Sequence, residues 1–179
     1  MPKASQIYFI SGVCVVGKSA VITDLKTILP PSEYDVHDFD ERGVPDGGGF
    51  DWHSKETLRW LEVGGKNAAN NISTIICGFQ NPEEFNKLHN KEIHAPAKLL
   101  LLHASGDTIR KRLLGRYPTP ESIAEINRAS GEPLNQFVED NISFAPTLRA
   151  IFEKEGAPII DTDAKTPEEV AREIVKLLQ

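Results

Sequence analysis

The sequence predicts an α/β fold: a three-layer α-β-α sandwich on a parallel sheet, forming a single domain over residues 1–179. Three observations lead there. Apolar runs of strand length alternate along the chain with segments of helical pattern. The runs are apolar throughout rather than at every second residue, so both faces of the sheet must be covered. No internal repeat or long linker divides the chain, and 179 residues suffice for one buried core.

The first run, Gln6–Ser11 (QIYFIS), reads as a buried strand. Lys18–Leu29 reads as a helix stopped by Pro30 and Pro31, whose rings cannot continue it. Tyr34–His37 is a short second strand, and Ser54–Asn70 is helical in pattern. Ser73–Cys77 (STIIC) is the third strand. Asn81, Pro82 and Glu84 read as a helix start, with an asparagine cap, a first-turn proline and an acid three residues after the cap. Lys98–His103 (KLLLLH) is the fourth strand, followed by a basic helix from about Asp107 to Arg116. Residues 117–155 read as mostly helical, and Pro158–Asp161 as the fifth strand. Thr166-Pro167-Glu168-Glu169 is a capping box that opens the last helix, which runs to Leu178.

A net charge of −6 weighs against nucleic acid as the main partner, because a polyanion needs a basic face. Cys14 and Cys77 are far apart and form neither a disulfide framework nor a metal-binding spacing. The opening MPKASQ lacks a secretory layout, and no apolar segment reaches membrane-spanning length. The expectation is a reduced, cytoplasmic enzyme-sized domain without a membrane partner, as a monomer or homodimer.

The most specific motif is Gly12-Val13-Cys14-Val15-Val16-Gly17-Lys18-Ser19, which fits G-x-x-x-x-G-K-[ST] between a strand and a helix. Glycines at its two ends permit torsions and a close approach that side chains would block. Successive amides can then converge on phosphate oxygens at a helix N-terminus. Gly12 to Ala20 are thus the expected nucleotide-binding residues, with Lys18 on the β- and γ-phosphates and the Ser19 hydroxyl on Mg²⁺. Val15 and Val16 are bulky for such a loop, and Cys14 reads as a small filler.

Other nucleotide-hydrolysing classes are poorly matched. The strands STIIC and KLLLLH lack the terminal acid of a motor ATPase. Asn90-Lys91-Glu92-Ile93 lacks the Asp of a guanine reader, and Asp46-Gly47-Gly48-Gly49 fits D-x-x-G without following an apolar strand. It reads as a loop, and the glycine-rich stretch from Gly43 to Gly49 as able to move when a ligand arrives.

Two further features bear chemistry. Asp38 and Asp40 end the second strand and, in an extended chain, point to the same side. One carboxylate can hold Mg²⁺ through water, while the other orients or deprotonates an acceptor hydroxyl. In Arg110-Lys111-Arg112-Leu113-Leu114-Gly115-Arg116, Arg112 and Arg116 share a helix face and can neutralise a transferring phosphoryl group.

At these residues the chain resembles the small P-loop kinases, the group of adenylate, shikimate and gluconate kinases. GVCVVGKS, the Asp-x-Asp of DFDERG, RKRLLGR and PIIDTDAKTPEEV carry the resemblance and span nearly the whole chain. It implies a P-loop fold of kinase type with a five-stranded sheet in the order 2-3-1-4-5. It also implies a substrate-binding insert over about residues 41–71 and a lid over about 107–135. The catalytic set becomes Lys18, Asp38, Asp40, Arg112 and Arg116, with ATP and Mg²⁺ as cofactors. Metal binding falls to Ser19 and Asp38, and the Asp163–Thr166 loop passes over the adenine.

IICGFQNPEEF resembles the Asp-Gly-Phe-Pro-Arg segment of nucleoside monophosphate kinases. Gly78 and Phe79 are retained as acceptor-binding candidates, but Cys77 replaces the Asp and Gln80-Asn81 the Pro-Arg. The arginine that would grip an acceptor's phosphate is gone, so the Asp-x-Asp favours a hydroxyl on a small molecule. Arg42 and Arg59 are candidates for an anionic group on that acceptor, and Trp52, His53 and Trp60 for stacking, Trp60 reading equally as a core residue of the 54–70 helix. The expected function is transfer of a phosphoryl group from Mg·ATP to a small-molecule hydroxyl. A nucleoside monophosphate kinase and an ATP-binding regulatory domain are the alternatives.

Overall fold

The computed structural model describes residues 5–45, 49–89 and 95–178. In chain order the elements are β1 (Ile7–Ser11), α1 (Val21–Ile28), β2 (Tyr34–Asp38), α2 (Phe50–Ala68), β3 (Ser73–Cys77) and α3 (Pro82–Leu88). They continue as β4 (Ala97–His103), α4 (Gly106–Arg116), α5 (Pro120–Ser130), α6 (Leu134–Lys154), β5 (Ile159–Asp161) and α7 (Pro167–Leu177). All strand pairs are parallel, in the order β2-β3-β1-β4-β5. This is the expected α/β sandwich and strand order.

Alternation along the central strand accounts for the two covered faces. Tyr8 and Ile10 pack with Leu25 of α1 and with Ala171 and Ile174 of α7. Ile7 and Phe9 point the other way, into a cluster with Ile76, Trp60, Leu61 and Phe85. Because each face has its own helices, no strand can slip by one residue without burying the wrong side chains. Among the described residues, no helix is long and apolar enough to cross a membrane.

Local chemistry explains most element boundaries. Thr166 and Glu169 form the expected reciprocal capping box of α7. Asn81 caps α3, accepting from the Glu83 amide. The 117–155 region is divided by Gly131, which ends α5 in the left-handed region at φ 78°. Two boundaries differ from expectation. α1 begins at Val21 rather than Lys18, because the chain is still completing the loop's bend, and the Val21 amide donates to the Gly17 carbonyl at 3.2 Å. α2 begins a turn earlier than Ser54, at Phe50, and so carries Trp52 and His53 on its first turn. Asp46 to Gly48 and Asn90 to Ile93, from the loops considered above, lie outside the described residues.

The register brings the carboxyl ends of the strands to one edge. Asp38 lies beside Cys77, and Ile10 beside the same Cys77. Just beyond, the Phe39 amide donates to the Cys77 carbonyl and the Gly78 amide to the Ile10 carbonyl, both at 3.0 Å. A Cβ at Gly78 would overlap Cβ of Phe39. Phe39 cannot yield, since it is buried and its carbonyl accepts from the Trp60 indole at 3.1 Å. Gly78→Ala should therefore lower the urea unfolding midpoint at constant m-value, by about 1–3 kcal/mol in stability, the range for overpacking a core.

Candidate active site

The loop between β1 and α1 is built by exclusion and by bracing. At Gly12 (φ 152°) a Cβ would sit 2.5 Å from the Leu102 carbonyl oxygen and 2.5 Å from a Val16 methyl. Gly17 turns the chain at φ 110°. Val15 stands at φ 57°, a strained conformation for a β-branched residue. Neighbouring elements hold that strain in place. Thr162, just after β5, donates to the Val16 carbonyl at 3.0 Å. Arg112 of α4 donates to the Val15 carbonyl at 3.2 Å and to the Thr162 carbonyl at 2.7 Å. Asn141 of α6 accepts from the Cys14 amide at 3.0 Å and donates to the Phe137 carbonyl at 2.8 Å.

Lys18 closes the loop on itself: its ammonium donates to the carbonyls of Gly12 at 2.8 Å and Val13 at 2.7 Å. Burial lowers its pKa, opposed by the fields of Cys14, Asp40, Cys77 and Asp38. A first position closed to side chains, a run of tightly turned amides and a lysine held over them fit a polyphosphate. Ser19 and Asp38 line the same cleft and fit a Mg²⁺ ion. Among the described residues no group of three or more His, Cys, Asp or Glu could hold a metal alone. Such an ion would complete its shell with phosphate and water oxygens, as Mg²⁺ prefers.

The acids face this loop. Asp38 ends β2, and its carboxylate accepts from the Asp40 amide at 3.1 Å. Phe39 between them points into the core. Both acids line a cleft of about 380 Å³ together with Gly12 to Cys14, Lys18 and Ser19. Burial raises the Asp40 pKa and the charge of Asp38 adds to the rise, while Lys18 and His53 oppose it. Asp40 thus holds its proton more tightly than an ordinary carboxyl. Gly78 and Phe79 line the same cleft. Trp52 and His53 also line it, and His53 Nε2 donates to the Phe79 carbonyl at 2.8 Å. Cys77, at its floor, is inert as a nucleophile, because burial pushes its thiol up to about 12.

A second cavity of about 270 Å³ lies behind the loop, between Val15, Gly17, Ala20, Arg112, Lys165 and Pro167. Lys165 belongs to the 163–166 loop expected over an adenine; its ammonium also bonds Glu173 at 2.8 Å.

Five expected site residues are not brought to these cavities. Arg42 bonds Glu56 Oε1 and lies 3.8 Å from the centre of the Trp60 ring. Arg59 bonds Glu56 Oε2 at 3.2 Å. Glu56 is 2% exposed, and a carboxylate so buried requires both cations. Trp60 is a core residue, not a stacking platform. Arg116 ends α4 in solvent, 5.8 Å from the Tyr117 ring, although Arg112 on the same helix face is drawn to the loop. Asp163 accepts from the Ser105 amide at 2.9 Å and its hydroxyl at 2.7 Å, so it braces the start of α4. Hydrogen bonds from Thr108 and Ser105 lower its pKa.

Asn141, Thr162 and Phe144 were not legible as site residues. Thr162 follows β5 at the ligand-bearing edge of the sheet, a position the strand-end rule could have marked. Asn141 and Phe144 sit within a long helix and carry no local signal.

The sequence matches no protein-family model and no curated protein. Solved structures do match. Shikimate kinase from Acinetobacter baumannii, in complex with shikimate, aligns at TM-score 0.58 and 14% identity over 99% of this chain and 94% of that one. Thymidylate kinase from Candida albicans aligns at TM-score 0.58 and 16% identity over 98% and 91%. A tunicamycin resistance protein from Deinococcus radiodurans aligns at TM-score 0.57 and 18% identity over 97% and 95%. The chain has the fold of the small P-loop kinases.

Two outcomes follow for solution measurement. Carbon-detected NMR titration should find the Asp40 carboxyl above the ordinary aspartate range, and Asp38→Asn should move it down by removing a neighbouring negative charge. Asn141→Ala leaves the Cys14 amide without its side-chain acceptor and should cost about 0.5–1.5 kcal/mol in chemical denaturation.

Proposed function

We propose that the protein is an ATP-dependent phosphotransferase acting on the hydroxyl of a small molecule. The observation that carries this reading is the shared cleft: Gly12 to Cys14, Lys18 and Ser19 of the loop and the Asp38–Asp40 pair line one cavity. A domain that only binds nucleotide has no need of a second carboxylate there.

Bound Mg·ATP would supply the phosphoryl group and the charge that activates it. The chain's own residues do the rest. Gly12 to Ala20 receive the phosphates, and Lys18 exchanges its carbonyl partners for phosphate oxygens. Ser19 and Asp38 hold the metal. Asp40 orients the acceptor hydroxyl and takes its proton; a raised pKa makes it a stronger base than an ordinary carboxylate. Arg112, tied to the Val15 carbonyl, sets positive charge beside the loop, and the second cavity receives the nucleoside. Catalysis rests on positioning and charge neutralisation. Transfer to a nucleoside monophosphate is disfavoured because, among the described residues, no arginine lines the acceptor side.

Lys18→Ala should cut acceptor-stimulated ADP release by about 100-fold or more while leaving the circular dichroism spectrum intact. Asp40→Asn should lower kcat by about 10²–10⁴ with little change in the KM for ATP. Undiminished turnover in both variants would refute the assignment. Asp40 must be ionised to accept a proton, so wild-type kcat should rise with pH through its raised pKa, and Asp38→Asn should move any residual profile toward lower pH.

A further inference from the structure

We propose that the acceptor is an uncharged alcohol bearing an aromatic ring, such as a nucleoside or an aryl diol, and not a sugar acid or a phosphate ester. This rests on the phosphotransferase reading above and adds the class of molecule that the cleft selects.

The first observation is an unbroken wall of rings. Trp52 meets Phe39 edge-on at 5.8 Å between centroids, and Phe39 stacks on His53 at 4.9 Å. His53 leads to Phe79 at 5.9 Å, and Phe79 to Phe144 at 6.1 Å. These rings come from four separate places: the turn after β2, the first turn of α2, the segment after β3, and α6. All five line the cleft that holds Asp38 and Asp40. Phe39, at the centre of the series, is buried core, whereas Trp52, His53, Phe79 and Phe144 keep ring surface toward the cleft, which suits a planar ligand. Trp52, Phe79 and Phe144 are only partly buried, so ring surface remains for a guest to cover.

The second observation is charge. Among the described residues lining this cleft, Lys18 is the one lysine or arginine, and its place is in the phosphate loop. Arg42 and Arg59 are spent on Glu56. A carboxylate or phosphate on the acceptor would be desolvated beside Asp38 and Asp40 with no cation of its own. The same cleft costs a neutral ring nothing of that kind. His53 donates through Nε2 to the Phe79 carbonyl, so that nitrogen is not offered to a ligand. A cleft of about 380 Å³ holds a molecule of this size.

Binding can be read without nucleotide. The chain has two tryptophans. Trp60 is fully buried, and Trp52 lines the cleft, so emission changes from an acceptor report on Trp52. Uridine and phenylethanediol should each give a saturable change, abolished by Trp52→Phe. Uridine monophosphate and gluconate should bind at least about tenfold more weakly, the cost of an unpaired anion in the site. Phe144→Ala should weaken uridine or phenylethanediol by about tenfold, the loss of a ring contact. Phe144→Leu, which keeps apolar volume without a ring, should fall on the same side if the alanine variant does not fold. In a coupled assay, Phe144→Ala should raise the acceptor KM more than it lowers kcat and leave the KM for ATP unchanged.

Equal or tighter binding of the anionic compounds overturns the proposal. So does a flat response to both neutral compounds, or a response that survives Trp52→Phe. Saturable binding without any Lys18-dependent ADP release would sink the phosphotransferase reading instead, and leave the cleft's preference standing.

Discussion

Residue 12 has no room for a side chain. The carbonyl oxygen of Leu102, from the neighbouring strand, and a methyl of Val16 both lie where a Cβ would go. That contact sets how close the loop after β1 runs to β4, and with it where every later amide of the loop points. It exists only because β1 lies between β3 and β4 in a parallel sheet, with strand ends level. The rest of the site is arranged around this close approach. Thr162, Arg112 and Asn141 reach in from three different elements to hold backbone groups of the loop, including the strained Val15. Strain of this kind persists only where the surroundings over-determine it.

Around the cleft and helix α2, the charged residues form two separate balances. In the cleft, Lys18 stands against Asp38 and Asp40, and burial moves the lysine and Asp40 toward their neutral forms. Both groups are therefore sensitive to charge brought into the cleft. A short way along α2, Glu56 absorbs Arg42 and Arg59 and keeps them from the cleft. The first balance is open to a ligand and the second is closed. This separation leaves a cleft lined by two acids and by aromatic rings.

Helix α2 links the two regions. Its early start puts Trp52 and His53 on the cleft, while Thr57, one turn further, accepts from the Gln80 side-chain amide at 3.1 Å. Gln80 in turn exchanges hydrogen bonds with the Ser11 hydroxyl at the end of β1, at 2.7 and 2.8 Å. Gln80 thus ties β1, β3 and α2 together. That tie fixes the aromatic wall relative to the phosphate loop.

The sequence alone determined what depends on local torsion and on the spacing of apolar residues. Uninterrupted apolar runs required a sheet covered on both sides, Gly12 and Gly17 marked the loop, and Thr166 with Glu169 marked the start of α7. Asp38 and Asp40 were legible because a strand places alternate residues on one side. Tertiary structure decided which long side chains meet. Arg42, Arg59, Arg112 and Arg116 are alike in sequence, yet two serve a buried glutamate, one braces the loop and one faces solvent. Asn141 and Phe144 enter the site from 127 and more residues away in the chain, by the packing of α6. A flexible side chain goes to whichever buried partner most needs its charge or its donor, and that partner is set by how helices dock on the sheet, which no short stretch of sequence encodes.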